Sequence, residues 1–519
     1  MKGLTSMMDT RKRRVAVFLL FVLALAALLL VSELTEKKTY LGIPVLSQQQ
    51  QADLGEYVYQ DFSRELQYNG QRAAVDLDDS RIYIAQDIRE DTKPEDMPGS
   101  LGSFSPSLVL SFAPDEAFEN LAAAVKAGHI FKLNVSHGSG KYMQYVLVLT
   151  TLPVLRIEGE VIGKNEKGKD LCEGTMCLWT PWDPDVNAYS VKTGNLQWHV
   201  RGGWSATLLK TPFKMDLKKK TGTGKNMSLA GLGADDDWIL NPMNLDDTKL
   251  KEKLFSALWN QRAEQVSWNE KMSAGEYVEV VIDGDYWGLF QLQRRVDDKF
   301  LNLRNREILL KGSGPKTAST VQEAYEIISS HLTEAETYGL MAAFYAGTDV
   351  SILDPDNFLD VNLFMQWASA MDNSEYKNMF YLLKQEESGY RMYLLPWDTD
   401  MAWGTVWNDE YGGFSYDFEA SRQKVTLRKE YVWAKQEDPD LDRKMAKRWF
   451  ALRENLLTME NMTAVLEREQ QILDASGAQK RDQDQWGLFY QGEDSPENLC
   501  KSIEARLQWL DDYYSQYLQ

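Results

Sequence analysis

Two carboxylates stand one residue apart in LLPWDTDMAWG, Asp398 and Asp400, just after an apolar run that ends at Pro396. Upstream, NMFYLLK and YRMYLLP are separated by QEESG, the pattern of an antiparallel hairpin turning near Glu387 and Ser388. Such a hairpin sets Asn378 at its entrance opposite Trp397 or Asp398 at its exit, because paired strands lie about 4.8 Å apart. Asp372 falls in the loop just before, after an apolar helix that ends near Met371. One end of one hairpin therefore gathers Asp372, Asn378, Asp398 and Asp400. These are hard oxygen donors, of the kind that hold Mg²⁺ together with phosphate oxygens. On the hairpin geometry alone, the expectation is that only one of Asp398 and Asp400 faces the ion. A near echo, TPWDPD at Thr180 to Asp185, has no hairpin leading into it. Pro184 separates its carboxylates, and it reads as a surface loop.

The elements that must position these residues fall into a strand-rich first part and a helical second part. From Arg72 to about Thr151 the text is strand-like (RIYIAQDI, SLVLSF, YVLVLTTLPVL), with one helical piece, FENLAAAVKAG. LQWHVRGGWSATLLKTPFKMDL alternates like a strand pair, and Asp283-Gly284 between apolar runs predicts a second hairpin. Leu250, Leu254, Ala257 and Leu258 share a helical face. Helical text then dominates to the C-terminus, so the fold class is α+β. SHGSGK at 136–141 is no phosphate loop: Val135 stands where the first Gly belongs and Tyr142 replaces the Ser or Thr. It reads as a Gly-rich hairpin turn.

Composition narrows the function classes. The chain is 44% apolar, with 16 Trp and 24 Tyr, enough to bury a sizeable core. A formal charge of −20 argues against nucleic acid as a partner. Four scattered histidines, His129, His137, His199 and His331, argue against a zinc enzyme. Cys172 and Cys177 could close one small loop in an oxidising compartment, leaving Cys500 over, or could equally be free thiols.

At the N-terminus, RKRR at Arg11 to Arg14 precedes an uninterrupted apolar run from Val15 to Val31, at the short end of what spans a bilayer. No small-residue cleavage site follows it. The expectation is a short basic cytoplasmic tail (1–14) and an uncleaved transmembrane signal anchor (15–32), which makes the membrane a partner through this helix. A stalk and strand-rich region (33–151) and a main domain (152–519) then lie outside the cytoplasm by the positive-inside rule.

The order of parts around Asp398 is that of a protein kinase: an Asp that accepts the hydroxyl proton, an Asn soon after, a hairpin, then a metal-binding Asp. From about Leu152 to Gln519 the chain also resembles the CotH kinase family, named for a spore coat protein. The likeness rests on LPVLRIEG, RGGWSATLLKTPFKMDL, DDWILNPMNLDDTKLKEKL, YVEVVIDGDYWGLFQL, MDNSEYKN and LLPWDTDMAWG, in that order. The resemblance implies a two-lobed, protein-kinase-like fold and an atypical protein kinase that uses ATP with Mg²⁺ or Mn²⁺. Its acceptors would be protein hydroxyls, coat or surface proteins among them, with association with the spore coat. By position it makes Asp372 the catalytic residue and Asp398, Asp400 and Asn378 the metal site. It assigns Arg201, Lys210, Lys214 and Lys311 to the nucleotide. Gly203 and Trp204 depart from the family's pattern, as does Gln293, which stands where a Glu is usual. The Asp372 to Asn378 spacing is one longer than in protein kinases. These departures keep open an alternative, a catalytically weak or inactive pseudokinase that acts as a surface or coat binding protein.

Overall fold

A computed structural model describes residues 38–114, 118–137, 140–312, 317–373, 376–408, 413–419, 428–488 and 492–519. The chain divides into two compact units. The first runs to Ala73 and adds Ile88–Ala124 and Ile130–Leu147; the second comprises Ala74–Asp87, Val125–His129 and Val148–Gln519.

In the first unit, Val109–Phe112 and Phe131–Ser136 pair antiparallel, and the latter pairs again with the strand that begins at Lys141. Ser136 stands across from Tyr142, so the glycine-bearing stretch between them joins paired strands. Tyr40, fully buried, packs on Phe112 and Phe131, with ring centroids 5.5 and 6.1 Å apart.

The second unit opens with seven strands: β1 (Val154–Lys164), β2 (Asp170–Asp183), β3 (Ala188–Val200), β4 (Phe213–Lys218), β5 (Asp237–Asn241), β6 (Gly275–Ile282) and β7 (Asp285–Arg294). They close into a barrel in the order β1-β2-β3-β4-β5-β7-β6, the last seam being a parallel pairing of β6 with β1. Alternate residues such as Leu155, Ile157, Leu196, Trp198, Met215, Trp238, Val280 and Phe290 fill the interior. Helix α1 (Lys251–Val266) interrupts the strand sequence, and buries Leu254, Phe255, Leu258 and Trp259.

A four-stranded sheet follows, with β8 (Ile308–Gly312), β9 (Tyr325–Ser329), β10 (Met379–Glu386) and β11 (Gly389–Pro396) in the order β9-β8-β10-β11. Its two faces explain the unbroken apolar text of β10. Met379, Tyr381 and Leu383 enter the large helical core, whereas Phe380 and Leu382 meet Ile239 of the barrel wall and Trp397. The β10–β11 register runs from Met379↔Pro396 to Glu386↔Gly389, so the hairpin turns at Glu387–Ser388 as its spacing predicts. Helices α2 (Glu334–Tyr345), α3 (Pro355–Ala368), α4 (Lys429–Glu437), α5 (Leu441–Asn455), α6 (Met459–Ser476), α7 (Ala478–Trp486) and α8 (Pro496–Ser515) complete the unit. The observed class is α+β, with strands first and helices after.

Two expectations change. Cys172 and Cys177 lie five residues apart on the same strand, β2, which separates them by about 16 Å, far beyond the reach of a disulfide. Both are free thiols, as is Cys500, and burial pushes Cys177 up to about 12. The expected placement as a single-pass membrane protein with its main domain outside the cytoplasm is also corrected. The segment 15–32 lies outside the described residues, and among those described no helix is long and apolar enough to cross a membrane. The long C-terminal helix α8 shows why: it buries Leu499, Ile503, Leu507 and Leu510 but carries Glu497, Lys501, Glu504 and Asp511 elsewhere on its surface.

Candidate functional site

Helix α3 starts on a well-made cap, with Asp354 accepting from the Asn357 amide and Pro355 in the first turn. It ends at Ser369, whose φ of +51° turns the chain out of the helix and brings Asp372 to the entrance of β10. Asp372 Oδ2 accepts hydrogen bonds from Asn378 Nδ2 at 2.7 Å and Lys377 Nζ at 3.0 Å. Across the hairpin mouth the Trp397 amide donates to the Asn378 carbonyl at 3.2 Å. Asn378 and Asp398 both adopt left-handed backbone, with φ of +54° and +57°, a conformation Asn and Asp tolerate better than branched residues. The turn at Asp398 ends the period of two along β11. The hairpin alone therefore does not choose between Asp398 and Asp400, and burial raises both carboxyls.

Asp398 and Asp400 are half-buried by surface area, yet enclosed enough for burial to be the first cause of a shift at each. Burial pushes the Asp398 carboxyl up, Arg201 and Lys311 pull it back, and Asp372 pushes it up further. Asp400 is held well above the usual carboxylate range by burial and by the negative charges of Asp398, Glu252, Asp246 and Asp372. Among the described residues no hydrogen bond reaches either carboxylate. Such crowding of like charge is costly unless a cation shares it.

The cations expected for a nucleotide separate into two groups. Arg201, at the end of β3, stacks over Trp397 with its guanidinium 5.8 Å from the ring, and Lys311 of β8 stands 5.6 Å from the rings of both Trp397 and Phe380. Burial and the neighbouring Arg201 push Lys311 down to about 8, against the pull of Asp398. Arg295 adds a third positive charge felt by both. Lys210 is placed differently. Its buried ammonium donates to Asp482 at 2.6 Å, to the Pro242 carbonyl at 3.1 Å and to the Leu289 carbonyl at 2.5 Å, which uses all three donors. Lys214 pairs with Asp216 at 2.6 Å and Asp237 at 3.1 Å. Sequence proximity to Arg201 grouped these two lysines with it, but local carboxylates already neutralise them.

Glu252, which the sequence reading did not single out, belongs to the site. It lies in the first turn of α1, with Oε1 accepting from Gln293 Nε2 and Oε2 from Asn241 Nδ2, each at 2.9 Å. Burial and the charge of Asp398 push it up to about 7, opposed by Gln293 and Arg201. A Glu at the start of a helix just after a strand pair was the available signal, and its neighbour Gln293 is the residue noted as a departure. Asn373, directly after Asp372, is a second residue that the sequence reading did not single out. It is fully buried, and its Nδ2 donates to the carbonyls of Asn378 and Trp397, each at 2.9 Å.

Among the described residues no group of three or more His, Cys, Asp or Glu side chains is gathered to cage a metal alone. The oxygen-only donors, and two carboxylates that no hydrogen bond reaches among the described residues, still fit an ion such as Mg²⁺, which keeps waters and phosphate oxygens in its shell.

Residues 198–510 match the family model for CotH kinase protein. The chain belongs to the CotH kinase family. The match starts inside β3 and ends within α8, so it takes in Arg201, Glu252, Lys311, Asp372, Asn378, Asp398 and Asp400 and leaves β1 and β2 of the barrel outside. A search of curated proteins finds no match. As a CotH family member the protein is kinase-like, and the family points to ATP and a divalent metal.

Proposed function

We propose that this CotH family protein transfers the γ-phosphoryl group of ATP to hydroxyl groups of a protein, with a divalent metal. One observation carries the reading. Among the described residues no hydrogen bond reaches two enclosed carboxylates, Asp398 and Asp400, which stand beside the Asp372–Asn378 pair, with Arg201 and Lys311 acting on Asp398. That distribution of charge suits a metal-bound polyphosphate, which brings cation to carboxylate and anion to guanidinium and ammonium. Asp398, Asp400 and the Asn378 carboxamide oxygen are the groups that would hold the metal. When bound, the metal supplies neutralisation of the charge that develops on the phosphate oxygens. Asp372, held by Asn378 and Lys377, orients the acceptor hydroxyl and takes its proton. Arg201 and Lys311 meet the phosphate charge from the side of Trp397. Coat or surface proteins are the proposed acceptors.

A second reading is favoured by a specific contact. Glu252 hydrogen-bonds Gln293 rather than pairing with a lysine, and Lys210 is committed to Asp482. A pseudokinase that binds nucleotide without turning it over would keep such an arrangement. Thermal unfolding with and without Mg-ATP, followed by label transfer from γ-labelled ATP in Mg²⁺, Mn²⁺ or chelator, separates the two. Metal-dependent transfer supports the kinase, a thermal shift without transfer supports the pseudokinase, and no shift overturns both.

A further inference from the structure

Asn373 occupies a position that the assigned site roles do not explain. It is fully buried and follows Asp372 directly. Its Nδ2 donates to two carbonyl oxygens on the two sides of the hairpin mouth, Asn378 just before β10 and Trp397 just after β11, at 2.9 Å each. Both partners can only accept, so the amino end of the carboxamide must face them. A third bond, from the Trp397 amide to the Asn378 carbonyl at 3.2 Å, closes the same corner. Each residue so held is either itself left-handed or immediately precedes one: Asn378 has φ of +54°, and Trp397 leads into Asp398 at +57°. Left-handed backbone at two non-glycine residues persists only where the surroundings over-determine it. The backbone of Asn373 is fixed in turn, since Arg428, fully buried, donates through Nη1 to the Asn373 carbonyl and through Nε to Glu430.

We infer that Asn373 is a positioning residue: its carboxamide ties the two strand ends that aim Asn378 and Asp398, and Arg428 holds Asn373 itself in place. The assignment deepens the metal-dependent reading of the site and rests on it for its functional consequence. Asn373 touches no reacting group; it acts through the geometry of the residues at the hairpin mouth. Asn373→Asp keeps the shape but removes both donors and turns an oxygen toward two carbonyls. Asn373→Ser leaves the carbonyls to water and is the milder change, kept in case the aspartate variant does not fold.

The experiment uses the full chain, with Mn²⁺ binding in the presence of ATP followed by electron paramagnetic resonance, and amide hydrogen exchange of peptides covering 376–403 in the apo protein. The expected result is a Mn²⁺ dissociation constant raised about tenfold in the folded variants. Exchange should be faster across 376–403 and unchanged across 251–294, and transfer activity should recover when Mn²⁺ is raised to saturation. Recovery by metal is a response that general loss of structure would not give. A folded variant that binds Mn²⁺ within twofold of the wild type overturns the inference. If the wild type itself binds no Mn²⁺, the metal-dependent function falls. Hydrogen exchange then still decides the clamp, and unaltered protection of 376–403 in the variant removes it.

Discussion

The phrase Pro-Trp-Asp-x-Asp is written twice in this chain, and its two copies have opposite surroundings. In the first, Asp183 closes β2 and is fully buried, with Ser190 Oγ at 2.6 Å, Lys192 Nζ at 2.7 Å and the Asp185 amide at 3.0 Å. Burial pushes its carboxyl up, but these partners outweigh it and hold it below the usual range. Lys192 also pairs with Asp185 at 3.1 Å, so one ammonium serves both carboxylates. Among the described residues no lysine is paired directly with both carboxylates of the second copy, and Arg201 and Lys311 act on Asp398 only at longer range. Asp398 and Asp400 are enclosed without hydrogen bonds among the described residues, and both are pushed up. The lesson concerns charge balance rather than wording. An acidic pair tied directly to its own lysine is a structural corner, whereas one enclosed without such a direct tie is poised for an external cation.

The comparison is open to direct tests. Asp398→Asn should cut metal-dependent phosphoryl transfer by at least about a thousandfold, on the order of 4 kcal/mol of transition-state stabilisation. Its unfolding midpoint should be unchanged or higher, because one of the crowded charges has gone; label transfer and thermal unfolding on the same sample check both. The same contrast separates the two lysines pushed down to about 8. Lys210 is fully partnered, so Asp482→Ala, which strands its buried ammonium, should cost about 3–4 kcal/mol in urea unfolding. Lys311→Met should leave stability within about 0.5 kcal/mol and weaken Mg-ATP binding instead.

Glu252 sharpens the comparison through pH. It keeps its proton to about 7 in the fold, against 4.5 as its ordinary value. Between those values the folded state binds more protons than the unfolded chain, so stability falls as pH rises through this window. The loss amounts to at most about 3 kcal/mol. Glu252→Gln should flatten that slope, read as the unfolding midpoint from about pH 5 to 8. A slope unchanged in the variant would assign it to other groups. Smaller again, Asp183→Ala should cost about 2 kcal/mol, since it strands the Ser190 hydroxyl, the Asp185 amide and part of the Lys192 charge. It should leave Mg-ATP affinity intact. A fall in that affinity would break the division between the two copies.

What was legible in the sequence is the part governed by local pattern. The apolar runs on either side of QEESG define β10 and β11, and the hairpin length alone sets Asn378 across from Trp397. The apolar face of Leu250, Leu254 and Leu258 marks α1, and the change from strand to helix text marks the α+β organisation. What was missed depends on long-range closure. Glu252 reaches the site because α1 packs against β5 and β7, where Asn241 and Gln293 await it. Lys210 reads as a phosphate-binding lysine until Asp482 of α7, far along the chain, captures it. The left-handed turn at Asp398 follows no periodicity, so the strand pattern does not reach Asp398 and Asp400. The disulfide option for Cys172 and Cys177 fails because the strand they share is longer than their spacing hinted.

The seam that closes the barrel carries a consequence for how the molecule is made. Val154 to Ile157 of β1 pair with Glu279 to Ile282 of β6, residues separated by most of the barrel's own sequence. Loop-closure entropy must be met before so distant a pairing stabilises anything. During synthesis the first strand therefore waits, its edge open, until the sixth has emerged. The interval in which the nascent chain is exposed to strand-to-strand aggregation is set by the length of text between Ile157 and Glu279.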